Sequence, residues 1–221
     1  MSSASFWDRT AAKYAKSPIA DEVTYEKKLA LTREHLNPES KVLELGCGTG
    51  TTALKHAPYA QQIDAWDISP KMLEIARQKQ AQQQISNVTF HCGQISAMTL
   101  PKASYDLAMA HSVLHLLDDK EATLHTIYEA LKPGGIFVSS TACLGNKLKW
   151  LKLIAKPMCL LGFWPPVYFF SSEELQTAIT RAGFTIEHSW LPEKAVAHFF
   201  IARKPVKAQA DRWGSYPAAN I

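Results

Sequence analysis

No uncharged apolar run in these 221 residues approaches the roughly 18 that a helix needs to cross a bilayer, which excludes a transmembrane helix. Cysteine is scarce. Cys47, Cys92, Cys143 and Cys159 show neither CxxC spacing nor the density of a disulfide-stapled domain, so no metal site is expected and the thiols are expected to be reduced. Met1 is followed by neither a basic nor an apolar segment, so no secretory signal is expected and a cytoplasmic location is. A global excess of base is also missing. Lys147, Lys149, Lys152 and Lys156 lie in a stretch without acids, and setting them aside leaves 24 − 4 = 20 bases against 20 acids. The basic character is therefore local, and no nucleic-acid partner is expected. What is present is ordinary for a globular chain: 47% hydrophobic and 20% charged residues, at a length that suits one α/β domain with a small cap.

Against that background one stretch stands out, Val42-Leu43-Glu44-Leu45-Gly46-Cys47-Gly48-Thr49-Gly50. A short apolar run ends at an acid and passes through three alternating glycines into Thr51-Thr52-Ala53-Leu54, which can start a helix. Strand, glycine turn and helix in that order form a corner where a nucleotide can approach the backbone closely. A tight loop without a ligand would use the same glycines.

The rest of the chain keeps an α/β rhythm. Two N-terminal helices are expected over 3–15 and 20–36, the second capped by Asp21 and stopped by Asn37-Pro38. Strands are expected at Lys41–Leu45, Gln62–Asp67, Val88–Cys92, Tyr105–Ala110 and Ile136–Ser140. A helix of about 10 residues separates the first two by this reading. Ser69 caps and Pro70 opens another helix running to Gln84. Asp118–Leu131 is a further helix, closed by a turn at Lys132-Pro133-Gly134-Gly135. Ser171 or Ser172 starts a last helix to Arg181, and Phe184–Trp190 with Val196–Arg203 read as a terminal strand pair. The expectation is one domain over 1–204 with a helical lid at 1–38, a cap at 144–170 and a mobile tail at 205–221. Its fold class is α/β, a doubly wound, mostly parallel sheet with one late antiparallel strand. Ligands of such sheets lie beyond the carboxyl ends of the strands.

Two residues separate the nucleotide classes. Asp67 follows Gly46 by 21 residues and can accept both hydroxyls of a ribose, although it can equally cap the helix beginning at Ser69. A dinucleotide fingerprint needs a glycine at position 51, where this chain has threonine. Glu44, an acid just before the glycines, suits a ligand carrying positive charge better than a pyrophosphate. An NAD-linked dehydrogenase is disfavoured on both counts.

With these residues in hand the resemblance is specific. Glu44–Gly50 resembles the first motif of the class I S-adenosylmethionine-dependent methyltransferases, and Ala65–Leu73 their acidic ribose-binding segment. Tyr105-Asp106-Leu107 through Asp118 is similar to their fourth-strand motif, and Leu131–Gly135 to the turn before their fifth strand. Ser172–Leu175 with Ala182-Gly183-Phe184 is similar to their late helix and sixth strand. Within the class the branch related to ubiquinone and menaquinone biosynthesis is the nearest likeness. The resemblance implies a seven-stranded sheet of order 3-2-1-4-5-7-6 and S-adenosylmethionine as cofactor, with S-adenosylhomocysteine as product. It implies that Gly46, Cys47, Gly48, Thr49 and Gly50 pack against the methionine part and ribose, with Glu44 near the aminoacyl group. Asp67 would hold the ribose, Ile68 and Met72 would sandwich the adenine, and Gln94 and Ile95 would face its edge. Family members commonly have aspartate where Gln94 stands, and glutamine retains an acceptor oxygen. His111 and Ser112 would lie beside the sulfonium, and Tyr14 in a lid over the cofactor.

Methyl transfer from a sulfonium is an in-line displacement in which orientation supplies much of the catalysis. A base helps when the acceptor is a hydroxyl or acidic carbon, and His115 and His111 are the candidates. A core histidine with a satisfied hydrogen bond is the plainer reading of each. The loop after the fourth strand, Ala110–Leu114, lacks the Pro-Pro-aromatic run of DNA amino methyltransferases. The acceptor is therefore expected to be a small molecule, lipophilic or aromatic, received under the 144–170 cap. The basic amphipathic stretch 147–164 is a candidate for peripheral membrane contact; a cap packed on its own domain, or a dimer contact, would use the same residues. A monomer or homodimer is expected. A protein that binds the cofactor without transferring a methyl group would carry the same motifs.

Overall fold

The computed structural model describes residues 3–147, 149–193 and 195–206. Helices α1 (Ser3–Lys16) and α2 (Glu22–Arg33) precede a seven-stranded sheet. Asp21 caps α2 by accepting a hydrogen bond from the Thr24 amide at 2.9 Å. The sheet comprises β1 (Lys41–Leu45), β2 (Gln62–Asp67), β3 (Val88–Cys92), β4 (Tyr105–His111), β5 (Leu131–Ala142), β6 (Thr185–Trp190) and β7 (Ala197–Arg203). Its order is β3-β2-β1-β4-β5-β7-β6, as expected; β7 runs antiparallel to both β5 and β6, and all other pairings are parallel.

Helices α3 (Thr51–His56), α4 (Pro70–Gln82), α5 (Lys120–Ala130) and α8 (Ser172–Arg181) cover the sheet, while α6 (Leu144–Lys147) and α7 (Lys152–Leu160) belong to the cap. On β1 the side chains alternate between two cores, as the pleat requires. Leu43 and Leu45 pack with Leu124, Ile127 and Phe137, whereas Val42 packs with Ala53, Leu73 and Met109 on the other side. The central strands are buried on both faces, which is why they read as apolar runs.

Several boundaries differ from expectation by one to three residues, and three differences have a specific cause. The helix after the glycines is six residues, followed by a 3-10 turn over Ala57–Tyr59, because Pro58 cannot extend the α-helical hydrogen-bond ladder. The helix expected from Asp118 begins at Lys120, because Asp119 is the cap that accepts from the Ala122 amide at 2.8 Å. The Lys132–Gly135 segment belongs to β5. Leu131 already pairs with Tyr105, and the register shift before Leu107 absorbs the residues that read as a turn. Ser171 caps α8 in a reciprocal arrangement with Glu174, so the choice between Ser171 and Ser172 falls to Ser171. The tail beyond Val206 lies outside the described residues. Among the described residues no helix is long and apolar enough to cross a membrane.

Candidate active site

The carboxyl ends of β1, β2 and β4 open into a cavity of about 560 Å³. Gly46 and Gly48 form its floor, Asp67, Ile68 and Met72 one wall, and Gln94 and Ile95 its edge. His111 and Ser112 close it at the end of β4, and Trp7 and Tyr14 cover it from α1.

The glycines divide the work. Gly46, Gly48 and Gly50 all have positive φ. A Cβ on Gly50 would come within 2.8 Å of Ala76 and Phe90, so that glycine lets α4 and β3 pack against the loop. A Cβ on Gly48 would meet only the Tyr14 ring, at 3.9 Å, so here the bare backbone faces the cavity. Thr49 and Thr51 point away from the cavity, and both hydroxyls accept hydrogen bonds from Lys79 Nζ, at 2.9 and 3.0 Å.

Asp67 Oδ2 accepts from the Gly48 amide at 2.8 Å, and Oδ1 from the Ser69 amide at 2.9 Å. Burial nonetheless raises its pKa, with the amide donors opposing the shift. Each carboxylate oxygen keeps a second acceptor position, so the side chain that clamps the loop can also receive a ribose diol. The two roles the sequence left open, cap and ligand acceptor, are compatible in one residue. The open floor at Gly48 and the spare acceptor capacity of Asp67 fit S-adenosylmethionine.

Glu44 does not reach the cavity wall. It is buried behind the glycine loop, where burial first, and then the charge of Asp67, pushes its pKa up to about 8 against the Ala53 amide, which lowers it. Its Oε2 has no hydrogen-bond partner. Strand alternation explains the placement, because Glu44 shares the Val42 face of β1. Cys47 is buried beside it, its thiol pushed well up by burial and by the Glu44 and Asp67 charges.

The two histidines part company. His111 lines the cavity, and burial, aided by the positive charge of Lys28, brings its pKa down to about 4. His115 is lowered to about 4 by burial, its Nδ1 is unpartnered, and it is not among the residues that line the cavity. Its carbonyl accepts from the Tyr168 amide at 2.8 Å, tying the cap to the loop after β4. Ser112 holds a left-handed φ of 53°, uncommon for serine, and its amide donates to the Ser140 carbonyl at 2.7 Å.

Several contributors escaped the sequence. Asp8 Oδ1 accepts from Ser69 Oγ at 2.6 Å and from the Lys71 amide at 3.1 Å, anchoring α1 to the start of α4. Lys28 Nζ donates to Ser140 Oγ at 2.8 Å behind His111. Arg9 donates to the Gly162 carbonyl, joining α1 to the cap. Asp8 lies in the Phe6-Trp7-Asp8 to Tyr14 segment, which resembles the family's lid, but its bonds to Ser69 and Lys71 depend on tertiary packing. Leu117, Asp118, Pro166 and Tyr168 line both this cavity and a wider, open one of about 1070 Å³ between α5, α7 and α8.

A parallel sheet that reverses at β1/β4, with β7 antiparallel between β5 and β6, a glycine corner after β1 and an acid ending β2, is the architecture of the class I S-adenosylmethionine-dependent methyltransferases. The chain belongs to that class: residues 36–183 match the methyltransferase-domain family. Malonyl-[acyl-carrier protein] O-methyltransferase of Serratia marcescens is 29% identical over 143 residues, 65% of this chain and 53% of that protein. The tRNA 5-carboxymethoxyuridine methyltransferase of Escherichia coli (strain K12) is 33% identical over 98 residues, 43% of this chain and 38% of that protein. The chain thus spans about half the length, or less, of these curated relatives. A solved S-adenosylmethionine dependent methyltransferase from Mesorhizobium loti shares the fold, with a TM-score of 0.66 at 22% identity over 80% of this chain and 96% of that one.

Proposed function

We propose that the protein transfers a methyl group from S-adenosylmethionine to a small lipophilic or aromatic acceptor. The observation that carries this reading is the adjacency of the two cavities. A cleft with a glycine floor and a diol-accepting carboxylate shares Leu117, Asp118, Pro166 and Tyr168 with a larger space walled by Ala155, Cys159, Phe169 and Phe170. His111 and Ser112 line the smaller of the two. The two relatives named for a malonyl-acyl carrier protein and for a tRNA differ in acceptor, so the acceptor is read from this cleft. Around the wider cavity Asp118, Glu121, Glu173 and Glu174 are interleaved with Lys120, Lys152, Lys156 and Arg181. That mixture offers no continuous basic track to a phosphate backbone, which favours a small molecule over nucleic acid.

When bound, S-adenosylmethionine supplies an electrophilic methyl carbon whose transfer requires an in-line nucleophile. The chain's own contribution is placement, for which correct orientation is worth roughly 7–11 kcal/mol. Gly48 leaves room at the floor, Asp67 fixes the ribose, and Ile68 and Met72 flank the base. His111, neutral because of its burial beside Lys28, keeps a free lone pair to accept the acceptor's proton. A base of such low pKa is a modest one, and a contribution near the lower end of the usual 10²–10⁴-fold is expected.

Transfer of labelled methyl groups to a panel of quinols, phenols, amines and fatty acids tests the reading. Label should pass into an organic-extractable product, and His111→Asn should slow it about 100-fold at saturating S-adenosylmethionine, beyond any change in S-adenosylhomocysteine affinity. Binding of S-adenosylhomocysteine without transfer to any acceptor would point instead to a cofactor-binding protein that is not an enzyme.

A further inference from the structure

Helix α7 is turned outside in. Leu153, Pro157, Leu160 and Leu161 recur at i, i+4, i+7 and i+8, the spacing of an apolar stripe that ordinarily faces a core. Here the stripe faces out. Leu153 is 83% exposed, Leu160 78% and Leu161 67%, and Phe163 at 65% and Trp150 at 61% are exposed on either side of the helix in sequence. Ala155 is the one buried residue of the helix. Within the basic amphipathic stretch 147–164, Lys152 and Lys156 stand on the flank of the stripe and line the open cavity. The side chains of Lys147 and Lys149 lie outside the described residues.

Five large apolar side chains, each more than 60% exposed, between residues 150 and 163 suit an interaction site. The charge around it narrows the partner. From residue 143 to residue 172 the chain has no acid and four lysines. The acids that line the open cavity, Asp118, Glu121, Glu173 and Glu174, come from α5, α8 and the residues just before α5, and none comes from the cap. Lysine is depleted at protein–protein interfaces. By contrast, an apolar helix face flanked by lysines is the composition that lies in the headgroup region of an anionic bilayer, with tryptophan at the interface and lysine stems reaching the headgroups. Leu160 belongs both to the exposed stripe and to the wall of the open cavity, so a surface that covers the stripe also borders the cavity. Arg9, through Gly162, holds the cap to the helix that covers the cofactor cleft.

We propose that Trp150, Leu153, Leu160, Leu161 and Phe163 dock the cap on an anionic lipid surface, with Lys152 and Lys156 at headgroup level, and that a lipophilic acceptor enters the open cavity from that surface. The entry route rests on the methyl-transfer reading; the docking does not. Flotation with vesicles of phosphatidylcholine alone, and of phosphatidylcholine with about a third phosphatidylglycerol, reads the docking without turnover. The wild type should float with the anionic vesicles, and float less as salt is raised. The triple variant Leu153→Asn/Leu161→Asn/Phe163→Asn should bind at least tenfold more weakly, while its thermal midpoint and S-adenosylhomocysteine affinity stay as in the wild type. A wild type that stays in the aqueous fraction, or a triple variant that floats equally well, overturns the proposal. So does a wild-type dimer that the triple variant converts to monomer, because that result gives the face to a second copy of the chain. Failure of flotation leaves methyl transfer standing, and failure of methyl transfer leaves the docking standing.

Discussion

The amide of Gly48 donates to Asp67 Oδ2 at 2.8 Å, so the end of β2 holds the glycine corner that follows β1. One carboxylate thus shapes the loop and presents its remaining acceptor positions to the cavity. Replacing Asp67 with alanine removes both functions. Hydrogen bonds to a charged group contribute about 1.5–3 kcal/mol, so S-adenosylhomocysteine should bind Asp67→Ala roughly 10- to 150-fold more weakly by calorimetry. Asp67→Asn should fall between, because its amide nitrogen cannot accept from Gly48 or Ser69.

The glycines of the corner should respond differently to alanine. Gly50→Ala combines a left-handed φ with a Cβ 2.8 Å from Ala76 and Phe90, and should cost about 2–4 kcal/mol in urea unfolding. Gly48→Ala carries the backbone cost alone, about 1–2 kcal/mol, yet should lose more cofactor affinity per folded molecule than Gly50→Ala does. Equal stability losses at the two positions would contradict the division of roles.

Asp8 fastens the lid helix by capping the first turn of α4 from outside. Removing a capping acid typically costs about 1 kcal/mol. Asp8→Ala should therefore weaken S-adenosylhomocysteine binding about fivefold and speed proteolytic cleavage within residues 3–16, with little change in the global unfolding midpoint. Cleavage unchanged from wild type would mean that α1 is held by other contacts.

Much of this arrangement could be read from the sequence, and the reasons differ by element. The sheet was legible because its strands are short apolar runs separated by capped helices, and Asp21, Ser69 and Ser171 announce three of those helices. Asp67 and the glycines could be singled out because a loop after one strand and an acid ending the next fall on one rim of such a sheet, whereas the bond between Gly48 and Asp67 is seen only in the structure. The place of Glu44 was not, since strand alternation decides whether an acid ending a strand faces cleft or core, and nothing local reports the depth of the loop that follows. Lys28 beside Ser140, 112 residues apart, was invisible because only tertiary packing brings them together. The outward face of α7 could not be read for a related reason: helical periodicity sorts residues onto faces without saying which face is outward.

Stability should peak near pH 6.5. Folded Glu44 holds its proton to about pH 8 against a usual value of 4.5, so the folded state binds more protons over that window and stability falls as pH rises through it. At roughly 1.4 kcal/mol per pKa unit the loss by pH 8 is a few kcal/mol. His56, His111 and His115 release their protons at about 3, 4 and 4 when folded against 6.5 when unfolded, so stability also falls as pH drops below 6.5. Three histidines outweigh one glutamate between pH 4.5 and 6.5. Urea midpoints across pH 5–8 should show both limbs, and Glu44→Gln should flatten the alkaline one. A slope unaltered in Glu44→Gln would remove Glu44 as its source.

The central claim is that the Gly48–Asp67 corner is an S-adenosylmethionine site, and calorimetric titration of the folded protein tests it most directly. S-adenosylhomocysteine should bind with one-to-one stoichiometry to the wild type and at least tenfold more weakly to Asp67→Ala, while NAD gives no heat. Binding of NAD in place of S-adenosylhomocysteine, or S-adenosylhomocysteine binding indifferent to Asp67→Ala, would contradict it.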